Sequence, residues 1–139
     1  MKTPLVTLSL VREKFVEYDT RITEAEQAAQ IVRSLTLNAA DESFYVLALD
    51  VKNRINHVYL AAKGGCESVT LFPRDLFKTA ILANASGIII AHNHPSDDPT
   101  PSQEDKNITR RIEEGCKLLG LRFLDSLVVT STSHQSIKE

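Results

Sequence analysis

The chain has 139 residues, enough for one domain with a single core, and 42% of them are hydrophobic and 24% charged. A formal net charge of -2 offers no global attraction to nucleic acid or to an anionic membrane. No apolar run approaches the roughly 20 residues that span a bilayer and no signal-peptide pattern is present, so no membrane contact is expected and the cytoplasm is the expected compartment.

In chain order, Leu5-Val6-Thr7-Leu8-Ser9-Leu10-Val11 alternates like a strand, with a weaker pattern over residues 14–18. Residues 1–20 are therefore expected to form an edge strand or an arm that pairs with a second copy. Thr23 and Glu26 read as a capping box, and Ala25, Ala28, Val32 and Leu35 follow at helical spacing, which predicts a helix over 24–35. No linker, repeat or low-complexity stretch follows, so residues 1–139 are read as a single domain. Residues 44–50 read as a central strand that ends in the turn Lys52-Asn53-Arg54, and 55–62 as its hairpin partner, stopped by Gly64-Gly65. His57 falls within that partner and reads as an ordinary sheet residue. Pro73 starts a helix expected to reach Ala85, with Leu76, Phe77, Ala80, Ile81 and Leu82 on its apolar face and Arg74 on its surface.

The most informative stretch comes next. Gly87-Ile88-Ile89-Ile90-Ala91 reads as a buried strand and runs into His92-Asn93-His94-Pro95-Ser96. Two histidines one residue apart on extended backbone point to one side, with Cα atoms roughly 6.5–7 Å apart, so both rings can reach one ion. Pro99, Pro101 and Ser102 mark a helix start, with Ser102 as N-cap and Asp105 three residues on. In a helix over 103–119, Asp105 shares its face with Ile108, Ile112, Cys116 and Leu119, which turns a carboxylate toward the core, where it needs a partner. His92, His94 and Asp105 would leave a fourth tetrahedral position to water, the arrangement of a catalytic zinc site, with one Zn2+ per chain. Taken one at a time, the capping pair and the loop histidines have ordinary structural readings; only their coincidence points to a metal.

Arg110, Arg111 and Lys117 form a modest basic group that reads as a solvated helix face. Gly120 stops the helix, and residues 121–129 read as the last strand. Cys116 reads as a small core residue and Cys66 stays ambiguous; two cysteines are too few for a disulfide framework or a four-cysteine zinc site.

His92-x-His94, seven residues, then Ser102-x-x-Asp105 resembles the JAMM motif of MPN-type (JAB-like) zinc metalloproteases. The words Glu42-Ser43-Phe44, Leu49-Asp50-Val51-Lys52-Asn53, Phe72-Pro73-Arg74-Asp75-Leu76, His92-Asn93-His94-Pro95-Ser96 and Leu124-Asp125 resemble the RadC branch of that superfamily. The resemblance implies an α/β (α+β) fold, a curved mixed sheet flanked by helices with a cytidine-deaminase-like architecture, and it extends to pairing of such domains as a homodimer. It also maps Glu42 onto the family's upstream catalytic glutamate, with Asp41 as the competing carboxylate. This chain departs from its relatives at Asp97, where they commonly carry Gly, and at Ser126, where they commonly carry His.

On this reading Glu42 is the general base, Ser102 donates to the developing oxyanion, and the substrate is a peptide or isopeptide-linked protein. Two other classes stand beside it. A nuclease would share the metal chemistry, and the RadC label carries an association with DNA repair, yet basic and aromatic residues are not interleaved. A binding module that keeps the fold without catalysis is the non-enzyme reading. A zinc deaminase is disfavoured because the His-x-Glu and Pro-Cys-x-x-Cys words are missing.

Overall fold

The run Gly87-Ile88-Ile89-Ile90-Ala91 has no polar face, so it must be covered on both sides. In the computed structural model, which describes residues 1–15, 21–64 and 71–138, the elements follow in the order α1 (Ala25–Leu35), β1 (Ser43–Leu49), β2 (Ile55–Lys63), α2 (Pro73–Leu82), β3 (Gly87–Asn93), α3 (Gln103–Leu119), β4 (Arg122–Val129) and β5 (His134–Ser136). The strands form one mixed sheet, β2-β1-β3-β4-β5, with β3 as the middle strand, buried at all seven residues. Among the described residues only β3 and β4 run parallel, and a parallel pair needs a crossover, which α3 supplies. This is the helix-flanked mixed sheet that the sequence implies.

The two-residue period of the strands sorts the core into two layers. Leu47, Leu49, Ile89, Ala91, Leu127 and Val129 face α1, where Ala28, Ala29, Ile31 and Val32 cover them. Phe44, Val46, Ala48, Ile88 and Ile90 face the other way, against Leu76, Phe77 and Ala80 of α2 and Ile108, Ile112 and Cys116 of α3. Cys116 is thus a core residue, and burial, aided by Glu113, pushes its thiol up to about 11. His92 follows Ile88 and Ile90 in the same period, so it lies on the α2/α3 side, where α3 begins.

Several boundaries differ from the sequence reading, each for a local reason. Residues 5–11 form no strand; Leu5, Val6, Leu8 and Val11 are exposed, because no described residue covers them. At α1 the N-cap is Glu24 and the capping box pairs it with Gln27, whose Oε1 accepts from the backbone N–H of Thr23 (2.6 Å) and Glu24 (3.0 Å), while Glu26 meets Arg33 and His134 instead of pairing with Thr23. Helix α2 ends at Leu82, before Asn84, whose φ of 52° is incompatible with continuing the helix. Strand β5 has no apolar alternation to announce it. It exists because the chain folds back on β4 (Thr130 N–H to Ser133 O, 2.9 Å) and the Arg33 guanidinium of α1 grips the Thr130 and Ser133 carbonyls. Cys66, Gly65 and residues 16–18 lie outside the described residues. Among the described residues no helix is long and apolar enough to cross a membrane.

Ile112 is fully buried in the α2/α3 layer. Ile112→Ala is expected to cost about 2–5 kcal/mol, read as a lower urea midpoint with an unchanged slope.

Candidate metal centre

At the end of β3, Glu42, His92, His94 and Asp105 converge, with one ligand atom from each lying within 4.8 Å of the others. Three elements deliver them. His92 is the sixth residue of β3, His94 sits just beyond its end, and Asp105 is in the first turn of α3. Glu42 immediately precedes β1, which pairs with β3 so that Phe44 lies opposite His92. The Phe44 and His92 rings stack at 5.2 Å, 4° from parallel, which fixes the plane of the first imidazole.

The distances define a donor set with no positive charge of its own. His92 Nε2 and His94 Nε2 are 3.1 Å apart; His92 Nε2 is 3.0 Å from Asp105 Oδ1 and His94 Nε2 is 3.1 Å from Asp105 Oδ2. His94 Nδ1 donates to the Asp98 carbonyl (2.9 Å), which leaves the Nε2 of a neutral His94 as a lone pair aimed at Asp105 and His92. Two imidazole nitrogens and a carboxylate turned toward one point repel unless a proton or a cation lies between them. Nitrogen and oxygen donors at this convergence suit a divalent transition metal, so the residues fit a metal ion. His92 and Asp105 are each 1% exposed. Burial alone would raise the Asp105 pKa, but its contacts with His92 and His94, whenever a proton is shared between them, and the bond from Ser102 N–H overcome it and hold the carboxyl far below the usual carboxylate range. The Asp105 hydrogen bond, working against burial, raises the His94 pKa.

The helix start also holds a ligand in place. Ser102 Oγ accepts from Asp105 N–H (3.1 Å) and Asp105 Oδ2 accepts from Ser102 N–H (2.8 Å), so the capping box and the inward carboxylate read from the sequence are one structure. Glu42 Oε1 lies 3.5 Å from His92 Nε2; Asp41 is exposed and its side chain is not in the group. Asn93, which the sequence reading passed over, links the two strands. Its Oδ1 accepts from Ser43 N–H (2.6 Å) and its Nδ2 donates to the Asp41 carbonyl (3.2 Å), which fastens the backbone on both sides of Glu42 to β3. The signal was its place between the two histidines, where a strand's alternation points it away from them.

Asp97 and Ser126 both have local partners. Asp97 sits at φ 64°, a backbone setting that favours glycine, and its carboxylate accepts from Ser131 N–H (3.1 Å) and Ser131 Oγ (2.8 Å), tying the His94 loop to the β4–β5 turn. Those two bonds lower the Asp97 pKa. Ser126 is buried on β4 and shares a 2.8 Å hydroxyl contact with Thr109, one turn beyond Asp105 on α3. His57 stays apart from the group: its Nδ1 meets Asn56 Oδ1 at 2.8 Å, and burial, then the nearby Arg12, lower its pKa. The Arg74 guanidinium lies over the Phe72 ring, as a helix-surface residue does.

A helix-flanked mixed sheet with a His-His-Asp donor set at the end of its central strand defines an α/β domain whose residues fit a metal ion. Residues 22–139 match the family model of the RadC-like JAB domain, and the chain belongs to that family. It is 43% identical over 98 residues to the UPF0758 protein STH371 of Symbiobacterium thermophilum, covering 70% of this chain and 42% of that one. It is 38% identical over 113 residues to the UPF0758 protein COPRO5265_1522 of Coprothermobacter proteolyticus (81% and 48%), and 36% identical over 126 residues to a UPF0758 protein of Clostridium beijerinckii (91% and 55%). The chain spans about half the length of these curated relatives.

The Asp97 geometry separates its two contributions. Asp97→Ala loses the Ser131 bonds and leaves a Cβ at positive φ, whereas Asp97→Gly loses only the bonds. Thermal unfolding should show the alanine variant less stable than the glycine one, by about 1 kcal/mol.

Proposed function

We propose that this chain is a zinc-dependent hydrolase acting on peptide or isopeptide bonds. The observation that carries the reading is the pairing of a largely buried His92-His94-Asp105 donor set with a second carboxylate, Glu42, whose Oε1 stands 3.5 Å from His92 Nε2. A zinc ion held by His92, His94 and Asp105 supplies Lewis-acid polarisation of a carbonyl and acidifies water to a pKa of about 7.

The protein's own groups do the rest. Glu42 takes a proton from the attacking water at a carboxylate oxygen and returns it to the departing nitrogen as the C–N bond breaks, leaving a carboxylic acid and an amine. Asn93 holds the backbone around Glu42 so that this carboxylate stays over the histidines. Ser102 accepts Asp105 N–H with its oxygen, which leaves its O–H to donate to the oxyanion of the tetrahedral intermediate. The Phe44 ring stacked on His92 and the apolar layer beneath it keep bulk water off the buried side of the site, where each charge acts at lower effective dielectric.

Protein purified without added zinc should carry about one zinc per chain by elemental analysis, and His94→Ala and Asp105→Ala should each lose it. No metal in the wild type, and none taken up on addition, overturns the reading. Glu42→Gln should keep the zinc but lose a factor of about 10²–10⁴ in turnover of isopeptide-linked substrates. An unchanged rate would remove Glu42 from the base role.

A further inference from the structure

We infer that the groove between α3 and β5 binds an extended, acidic segment of a protein partner, which adds to the sheet as a strand beside β5. The groove is a cleft of about 440 Å³ on the far side of α3 from Glu42, lined by Lys106, Arg110 and Glu113 of α3 and by Gln135, Ser136 and Lys138. It has the two parts that strand addition requires, a free sheet edge and a helix wall with side-chain specificity.

The edge follows from the register. Thr130 N–H bonds to Ser133 O, and Ile137 N–H bonds to Ser126 O, so the hydrogen-bonded pairs of this ladder fall on the odd-numbered residues of the outer strand. His134 and Ser136 therefore turn their backbone N–H and C=O away from β4, outward from the last strand of the sheet. No described residue bonds to these outward groups.

The helix wall carries positive charge that the fold does not use. Lys106 and Arg110 are exposed and stand one turn apart, a like-charged arrangement that slightly destabilises a helix. Arg110 has Glu113 and Glu114 three and four residues on, yet forms an ion pair with neither, and Lys106 has no ion pair among the described residues. Lys138 adds a third cation, anchored by the Phe123 carbonyl and ring. Alternate side chains of an added strand are roughly 7 Å apart on one side, close to the roughly 6 Å that separates residues one helical turn apart. Acidic residues at i and i+2 of the peptide thus match Lys106 and Arg110. No aromatic side chain lines the cleft to stack a base, which favours a peptide over single-stranded nucleic acid.

The test uses a fluorescein-labelled octapeptide of alternating Glu and Thr, with three comparison probes: alternating Lys and Thr, the Glu–Thr peptide N-methylated at alternate residues, and an eight-residue oligo-dT. Polarisation should show saturable binding of the Glu–Thr peptide alone. It should weaken at least tenfold on N-methylation and in the exposed double variant Lys106→Glu/Arg110→Glu, and amide NMR shifts should concentrate at His134 and Ser136. No binding of the Glu–Thr peptide, binding indifferent to N-methylation or to the charge reversal, shifts confined to other elements, or preference for oligo-dT would each overturn the proposal.

Discussion

The structure turns on the buried carboxylate of Asp105. An isolated ionised carboxylate at 1% exposure is prohibitively costly, so every neighbour must answer it. Ser102 N–H answers from the helix end, and His92 and His94 answer from the end of β3. These contacts pin the first turn of α3 to the central strand. The crossover helix of the parallel β3–β4 pair is thereby set at the same point where the donor atoms meet. A candidate ligand that doubles as part of a helix cap links the donor set to the placement of a whole layer of the core.

Around this point the chain supplies supports of a different kind. Asn93 reaches from β3 to the backbone of Ser43 and Asp41, so the position of Glu42 depends on the β1–β3 pairing rather than on a loop. Asp97 takes the left-handed turn that glycine adopts without strain and offsets the cost with two bonds to Ser131. Ser126 and Thr109 join β4 to α3 one turn past the ligand. Asp97 and Ser126 thus sit in the supports of the candidate site rather than in its donor set.

The same crossover creates the groove on the other side of α3. Once Asp105 fixes the start of the helix, Ile108, Ile112 and Cys116 must face the sheet. Lys106 and Arg110 are then turned toward the edge where β5 ends the sheet. One helix therefore presents the buried Asp105 carboxylate to the histidines at the end of the central strand and a cationic flank to the edge of the sheet.

Much of this was legible in the residues. Strong local signals stood for the central strand, the capping of α3 by Ser102 and Asp105, the inward turn of Asp105 and the His92–His94 pair, because each depends on periods of two or 3.6 residues and on short-range bonds. The elements that depend on distant partners were not legible. Strand β5 exists through Arg33 and through β4, the capping box of α1 falls on Glu24 and Gln27 while Glu26 meets Arg33 and His134, and Leu5, Val6, Leu8 and Val11 find no covering surface among the described residues. The same division runs through the site. The sequence by itself determined which side chains make up the candidate donor set, since histidine and aspartate chemistry and their spacing are local. Only the tertiary structure decided that Glu42, fifty residues upstream of His92, stands over them and that Asn93 holds it there, because that proximity comes from β1 pairing with β3, a long-range contact that no local pattern encodes.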